Sequence, residues 1–101
     1  MAIEITVRHV EVSREAKEYV GKKAEEITVE FPNVEHVHVI LDASGYRHTA
    51  EFIVQGRHHL RVEASSVADG MMEAIDSASE KTMNQLRKAM TKVQDHRQKG
   101  A

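Results

Sequence analysis

The sequence predicts an α+β fold of order β-α-β-β-β-α, a four-stranded mixed sheet with two helices packed on one face. Three observations carry this. Four segments alternate apolar and polar residues with period two. Two longer segments repeat apolar residues at spacings of three and four. The alternating segments are not apolar throughout, so one sheet face is to be covered and the other left to solvent.

The first strand is "IEITV", with Ile3, Ile5 and Val7 expected inward against Glu4 and Thr6. Ser13 then reads as an N-cap, and Ala16, Val20, Ala24, Ile27 and Phe31 form the apolar face of a helix. Pro32 disfavours helical geometry at Phe31, so this helix is expected to stop by about Glu30. "VEHVHVIL" and "TAEFIVQ" are strands that point Val37, Val39, Leu41 and Ala50, Phe52, Val54 inward, with "DASGYRH" as the turn between them. "QGRHH" turns the chain into "LRVEA", with Leu60, Val62 and Ala64 inward. These three strands make an antiparallel meander, and the first strand joins it by a right-handed parallel crossover through the helix. Ser66 and Asp69 resemble a capping box opening a second helix, whose stripe is Val67, Met71, Ile75, Ala78, Thr82, Leu86, Met90 and Val93, ending near Asp95. Met72, Met83 and Ala89 widen that stripe, and core packing accounts for the methionines better than a binding groove does.

With 101 residues the chain is expected to form one domain over 1–101. It has no cysteine, so disulfide and thiol chemistry are excluded. The alternating start "MAIEITVRHV" is not a secretory signal, and no apolar run approaches the roughly 18 residues of a bilayer span, so the cytoplasm is the expected compartment. Gly-rich phosphate loops, G-x-S-x-G and H-E-x-x-H are absent, and Glu51 and Glu63 read as solubilising residues, so no enzyme is expected. Seven histidines invite a metal, with His36 and His38 on one strand face, but no third ligand stands at a fixed spacing and solvated imidazoles are the expectation. Neither a metal nor a cofactor is expected.

The charge is unevenly placed. Net charge is −2, yet Ser77 to Ala101 hold six Lys/Arg against two Asp/Glu, a balance of +4, leaving −6 on the 76 residues before them. Such a split suits a surface for a polyanion. Counting 100° per residue from Lys81, residues Asn84, Gln85, Lys88, Lys92 and Lys99 fall within roughly 60° of one line, about 130° from the apolar stripe. Arg87 points off the same exposed side. Lysines one helical turn apart, about 5 to 6 Å, match successive phosphates of one strand. Phe31 and Phe52 are expected inward, which leaves no aromatic pair to stack bases on the sheet, so contact is expected with backbone phosphates. Neutralising about five phosphates gives a salt slope of roughly −3.5 to −4.5.

"ITVRHVEVSREAKEYVGKK", "VEHVHVIL", "EASS" leading into "MMEAID", and "EKTMNQLRK" occur in that order. Together they resemble the ribosome hibernation promoting factor family, which includes ribosome-associated inhibitor A. The resemblance implies a domain shaped like double-stranded-RNA-binding domains, without enzymatic activity. It implies binding to the small ribosomal subunit in the channel of messenger RNA and the A- and P-site transfer RNAs, inhibiting translation in stationary phase or stress. Ending at Ala101, the chain looks like the short form, which favours ribosome dimers together with a ribosome modulation factor. Carried over by position, the RNA-facing residues are Lys81, Gln85, Arg87, Lys88 and Lys92 with Lys23 on the first helix, which agrees with the charged row. Asn84, Met90, Glu26 and Gly70 depart from the family pattern, the first three by lacking a cation. The alternatives are a general double-stranded-RNA binder and a protein-interaction domain modulating sigma factors.

Overall fold

Why the chain folds as it does is visible first in the helix termini. In the computed structural model, which describes residues 2–99 and their side chains as far as Met90, α1 spans Arg14–Glu30. The Ser13 hydroxyl accepts the Ala16 N–H at 3.1 Å, so the expected cap is present. The helix ends at Phe31, whose N–H reaches the Ile27 carbonyl, immediately before Pro32. The strands are β1 (Ala2–Arg8), β2 (Val34–Ser44), β3 (Arg47–Gly56) and β4 (Arg61–Ala68), and α2 spans Met71–Lys99.

The sheet order is β1-β2-β3-β4, with β1 parallel to β2 and the other pairs antiparallel. Both helices lie on one face, α1 over β1 and β2 and α2 over β3 and β4. The expected β-α-β-β-β-α architecture is therefore the observed one. Val20, Ala24 and Ile27 from α1 and Ala74, Ile75, Ala78 and Leu86 from α2 close over Val37, Val39, Leu41, Ala50, Phe52 and Val54, all without solvent exposure. Each large side chain so buried contributes about 1.5–3 kcal/mol of transfer free energy.

Four expectations are corrected. Ile3 and Val7 are not buried but 37% and 36% exposed, because β1 is an edge strand that α1 covers only in part; Ile5 alone packs on the core. The Ser66–Asp69 capping box does not form. Ser66 belongs to β4, opposite Ala50, and its hydroxyl donates to the Ser77 hydroxyl at 2.8 Å, so it ties β4 to α2 from the side. Val67 accordingly points to the open sheet face, 55% exposed, and α2 starts four residues later than its pattern suggests. The turn between β2 and β3 is also shorter than "DASGYRH": only Gly45 and Tyr46 lie outside the strands, with Gly45 at φ 64°. Finally, Met72 is exposed rather than part of the stripe, and α2 continues past Asp95 to Lys99. The side chains of Lys92 and Val93 lie outside the described residues.

Gly56 is where the backbone allows no side chain. A Cβ there would stand 2.4 Å from the Asn33 carbonyl oxygen and 3.0 Å from Leu60 Cδ2. That carbonyl accepts the Arg57 N–H at 3.0 Å, which locks the end of β3 to the loop before β2. Gly56→Ala is expected to cost about 1–3 kcal/mol through this overpacking, read as a lower urea midpoint at unchanged m-value.

Candidate nucleic-acid interface

The packing of α2 decides which of its side chains reach solvent. Ile75, Ala78, Thr82 and Leu86 are turned to the sheet with no exposure, and the Thr82 hydroxyl is satisfied by the Ala78 carbonyl at 2.8 Å. Lys81, Asn84, Gln85, Arg87 and Lys88 are then left exposed. They divide into two groups.

The first is Lys81, Gln85 and Lys88, one row at helical spacings of four and three. Lys81 Nζ donates to the Ser65 carbonyl of β4 at 3.2 Å, which holds the ammonium near the sheet edge without neutralising it. Neither Lys81 nor Lys88 forms an ion pair among the described residues. A polyanion approaching this side meets charge that no carboxylate screens by direct contact.

The second group lies across the α1–α2 cleft, a cavity of about 440 Å³ lined by Lys23, Glu26, Asp76, Glu80, Asn84 and Arg87 among others. Here each cation has an acidic neighbour. Arg87 donates to Asn84 Oδ1 at 3.1 Å and to Glu30 Oε2 at 3.4 Å. Lys23 lies 3.7 Å from Glu26 Oε2, and its ammonium stands 5.2 Å from the centroid of the Tyr19 ring. The Tyr19 hydroxyl donates to the Asp76 carboxylate, pinning α1 to α2. That hydrogen bond, with partial burial and the Asp76 charge, raises the Tyr19 pKa. Partial burial alone would lower the Lys23 pKa, but the Tyr19 oxygen and the Glu26 and Asp76 carboxylates outweigh it and hold it above the usual lysine value. Lys23 is thus a permanent but screened charge. These exposed pairs are each worth at most about 1 kcal/mol, so a stronger anion can displace the carboxylates.

The structure therefore brings together Lys81, Gln85 and Lys88, and separately Lys23 and Arg87. The Lys92 position follows on the same helix. Sequence reasoning missed Tyr19, Glu30 and Asp76. Tyr19 and Glu26 stand four before and three after Lys23, a spacing that announces contact on a helix. Glu30 and Arg87 are 57 residues apart and carry no such signal.

On the open sheet face His36 and His38 meet edge to face at 6.5 Å. His38 Nε2 lies 2.8 Å from the Thr6 hydroxyl and 3.3 Å from Glu4 Oε2. Among the described residues no three His, Asp or Glu side chains are grouped to hold a metal ion. No described helix is long and apolar enough to cross a membrane.

Fold and surface together define a class: a one-sided α+β module that shows a cationic helical row on its covered side and an open sheet on the other. The family described as Sigma 54 modulation protein / S30EA ribosomal protein matches residues 3–94, and the chain belongs to it, a family of ribosome-associated proteins. In fold it is similar to a ribosomal subunit interface protein from Coxiella burnetii, with a TM-score of 0.81 and 22% identity over 90% of this chain and 99% of that one. It is similar also to the N-terminal domain of Protein Y from Thermus thermophilus, with a TM-score of 0.75 and 23% identity over 87% of this chain and 98% of that one. No curated protein matches the sequence.

Proposed function

We propose that residues 1–101 act as one ribosome-binding domain that docks on the small ribosomal subunit through the α2 row. It occupies the channel of messenger RNA and the A- and P-site transfer RNAs, and so silences idle ribosomes in the cytoplasm during stationary phase or stress, favouring ribosome dimers. The observation that carries this reading is the Lys81, Gln85 and Lys88 row at the surface, with no ion pair on its lysines among the described residues. Family membership supports the ribosome as partner, and one structural neighbour is itself described as a ribosomal subunit interface protein. The mechanism is occupancy. Ammonium groups replace the counterions of ribosomal RNA phosphates, and a folded domain then stands where transfer RNA would.

A sucrose gradient of ribosomes with and without the protein tests it. Co-migration with small subunits that transfer RNA displaces, together with a ribosome-dimer peak, is the expected result. Binding that is absent or indifferent to transfer RNA overturns the reading. The rival in the family's description, sigma 54 modulation, predicts an affinity that survives Lys88→Glu combined with Lys92→Glu.

The same electrostatics predict a gain. Glu26 screens Lys23 and lines the cleft. Glu26→Lys is expected to tighten subunit binding severalfold at about 0.1 M salt and to steepen the salt slope by about 0.7–0.9, measured by anisotropy of the labelled protein.

A further inference from the structure

The turn between β3 and β4 is built in an unusual way for the residues it contains. His58 and His59 stand consecutively in the left-handed region, at φ 60° and 62°, and the Leu60 N–H closes on the Arg57 carbonyl at 3.3 Å. Within the four-residue connection 57–60 this is the type I′ turn pattern, which Asn-Gly adopts at least cost. Two ring-bearing residues take it here at a steric penalty that glycine would avoid. Both are exposed, and neither imidazole makes a hydrogen bond or ion pair among the described residues. His9, the other non-glycine residue at positive φ among the described residues, differs in having a partner, the Asp42 carboxylate at 3.1 Å.

The turn is also rigidly mounted beside α2. Gly56 lies against the Asn33 carbonyl, which accepts the Arg57 N–H, while Asn33 Nδ2 reaches Met90 Sδ at 3.8 Å. Met90 follows Lys88 by two residues, so the turn that carries the two rings stands at the end of the domain toward which the lysine row runs. The turn is not a cationic patch. Arg57 faces Glu35 at 3.9 Å and Arg61 donates to Glu63 at 2.8 Å, which leaves the flat rings as the unspent chemistry of this tip.

We propose that the β3–β4 turn is a base-contact site, in which His58 and His59 take an unpaired nucleobase of the RNA strand whose phosphates lie along α2. The proposal rests on the RNA-binding reading of α2 and adds to it a preference for single-stranded over duplex segments. Imidazole faces stack on any base, and the ring nitrogens reach its edge. No sheet-face aromatic is needed.

The test uses His58→Asn combined with His59→Gly, which suits the turn better than the natural pair and therefore folds. A melting temperature a few degrees higher verifies this. Anisotropy is read with a fluorescein-labelled 12-nucleotide single strand of mixed sequence, with the corresponding duplex, and with purified small subunits. The double variant is expected to bind the single strand about tenfold more weakly at an unchanged salt slope, with duplex binding unaltered. Single-strand binding equal to that of the natural chain overturns the proposal. So does a salt slope that falls as it does for Lys88→Glu, since the imidazoles would then be acting as cations. Natural chain that binds the single strand but not small subunits removes the ribosomal reading and leaves the turn assigned. Subunit and single-strand binding that the double variant retains in full removes the turn alone.

Discussion

Replacing Lys81 and Lys88 together by glutamate is expected to weaken binding to small ribosomal subunits by at least about 100-fold, the lower bound set by about 1.5–3 kcal/mol for each charge-assisted hydrogen bond to phosphate that the substitution removes. The slope of log affinity against log salt should become shallower by about 1.4–1.8, since two phosphates are no longer neutralised. Both side chains lie at the surface and neither belongs to the core, so the melting temperature should hardly move. Equilibrium binding of labelled protein at several salt concentrations measures both quantities at once. A matched reversal on the exposed side of α1, Lys17→Glu, should leave affinity nearly unchanged, which separates a local effect from a general loss of positive charge. Equal weakening by both variants would mean that RNA does not dock on the α2 row.

Phe52→Ala is the largest expected effect on stability. Phe52 sits at the centre of the sheet, between Val39 of β2 and Ala64 of β4, with no exposure under the two helices. Truncation removes the ring and leaves a cavity bounded by strands that cannot collapse into it, costing about 3–5 kcal/mol. Against a total of about 5–15 kcal/mol for a domain of this size, that is a large share, with a fall in melting temperature on the order of 15–30 °C. Circular dichroism during heating is sufficient to see it. A destabilisation below about 1 kcal/mol would show that the sheet relaxes around the site.

Much of this was legible in the residues. Burial alternates along β2 and β3 because one face is covered and the other open, so Val37, Val39, Leu41, Phe52 and Val54 could be placed from spacing although Ile40 and Ile53 interrupt the apolar-polar pattern. Ser13 and Pro32 mark the two ends of α1 because their effects are local. Ser66 misled because a serine before an apolar run is equally a cap and a small inward strand residue, and only pairing with Ala50 decides between them. The alternation of β1 shows which side chains face the helices but not how far α1 reaches over them, so the exposure of Ile3 and Val7 had no signature. The candidate site follows the same division. The Lys81, Gln85 and Lys88 row is a property of one helix and was readable from 100° steps. The screening of Arg87 by Glu30, and the pin between Tyr19 and Asp76, depend on how two helices dock. The His58 and His59 turn hid for another reason: a hairpin of this type usually advertises itself by Asn-Gly, and here it does not.

The edge position of β1 has a consequence for how the molecule breathes. β2, β3 and β4 are joined by short turns, so their mutual pairings span little chain, while β1 meets β2 only after the whole of α1 has crossed between them. Closing that longer loop costs more chain entropy, and the half-covered strand returns less in buried area. Partial opening of the native state should therefore begin by peeling β1 from the sheet, and its amides should exchange with solvent deuterium sooner than those of β3, while the layer formed by the meander and α2 stays shut.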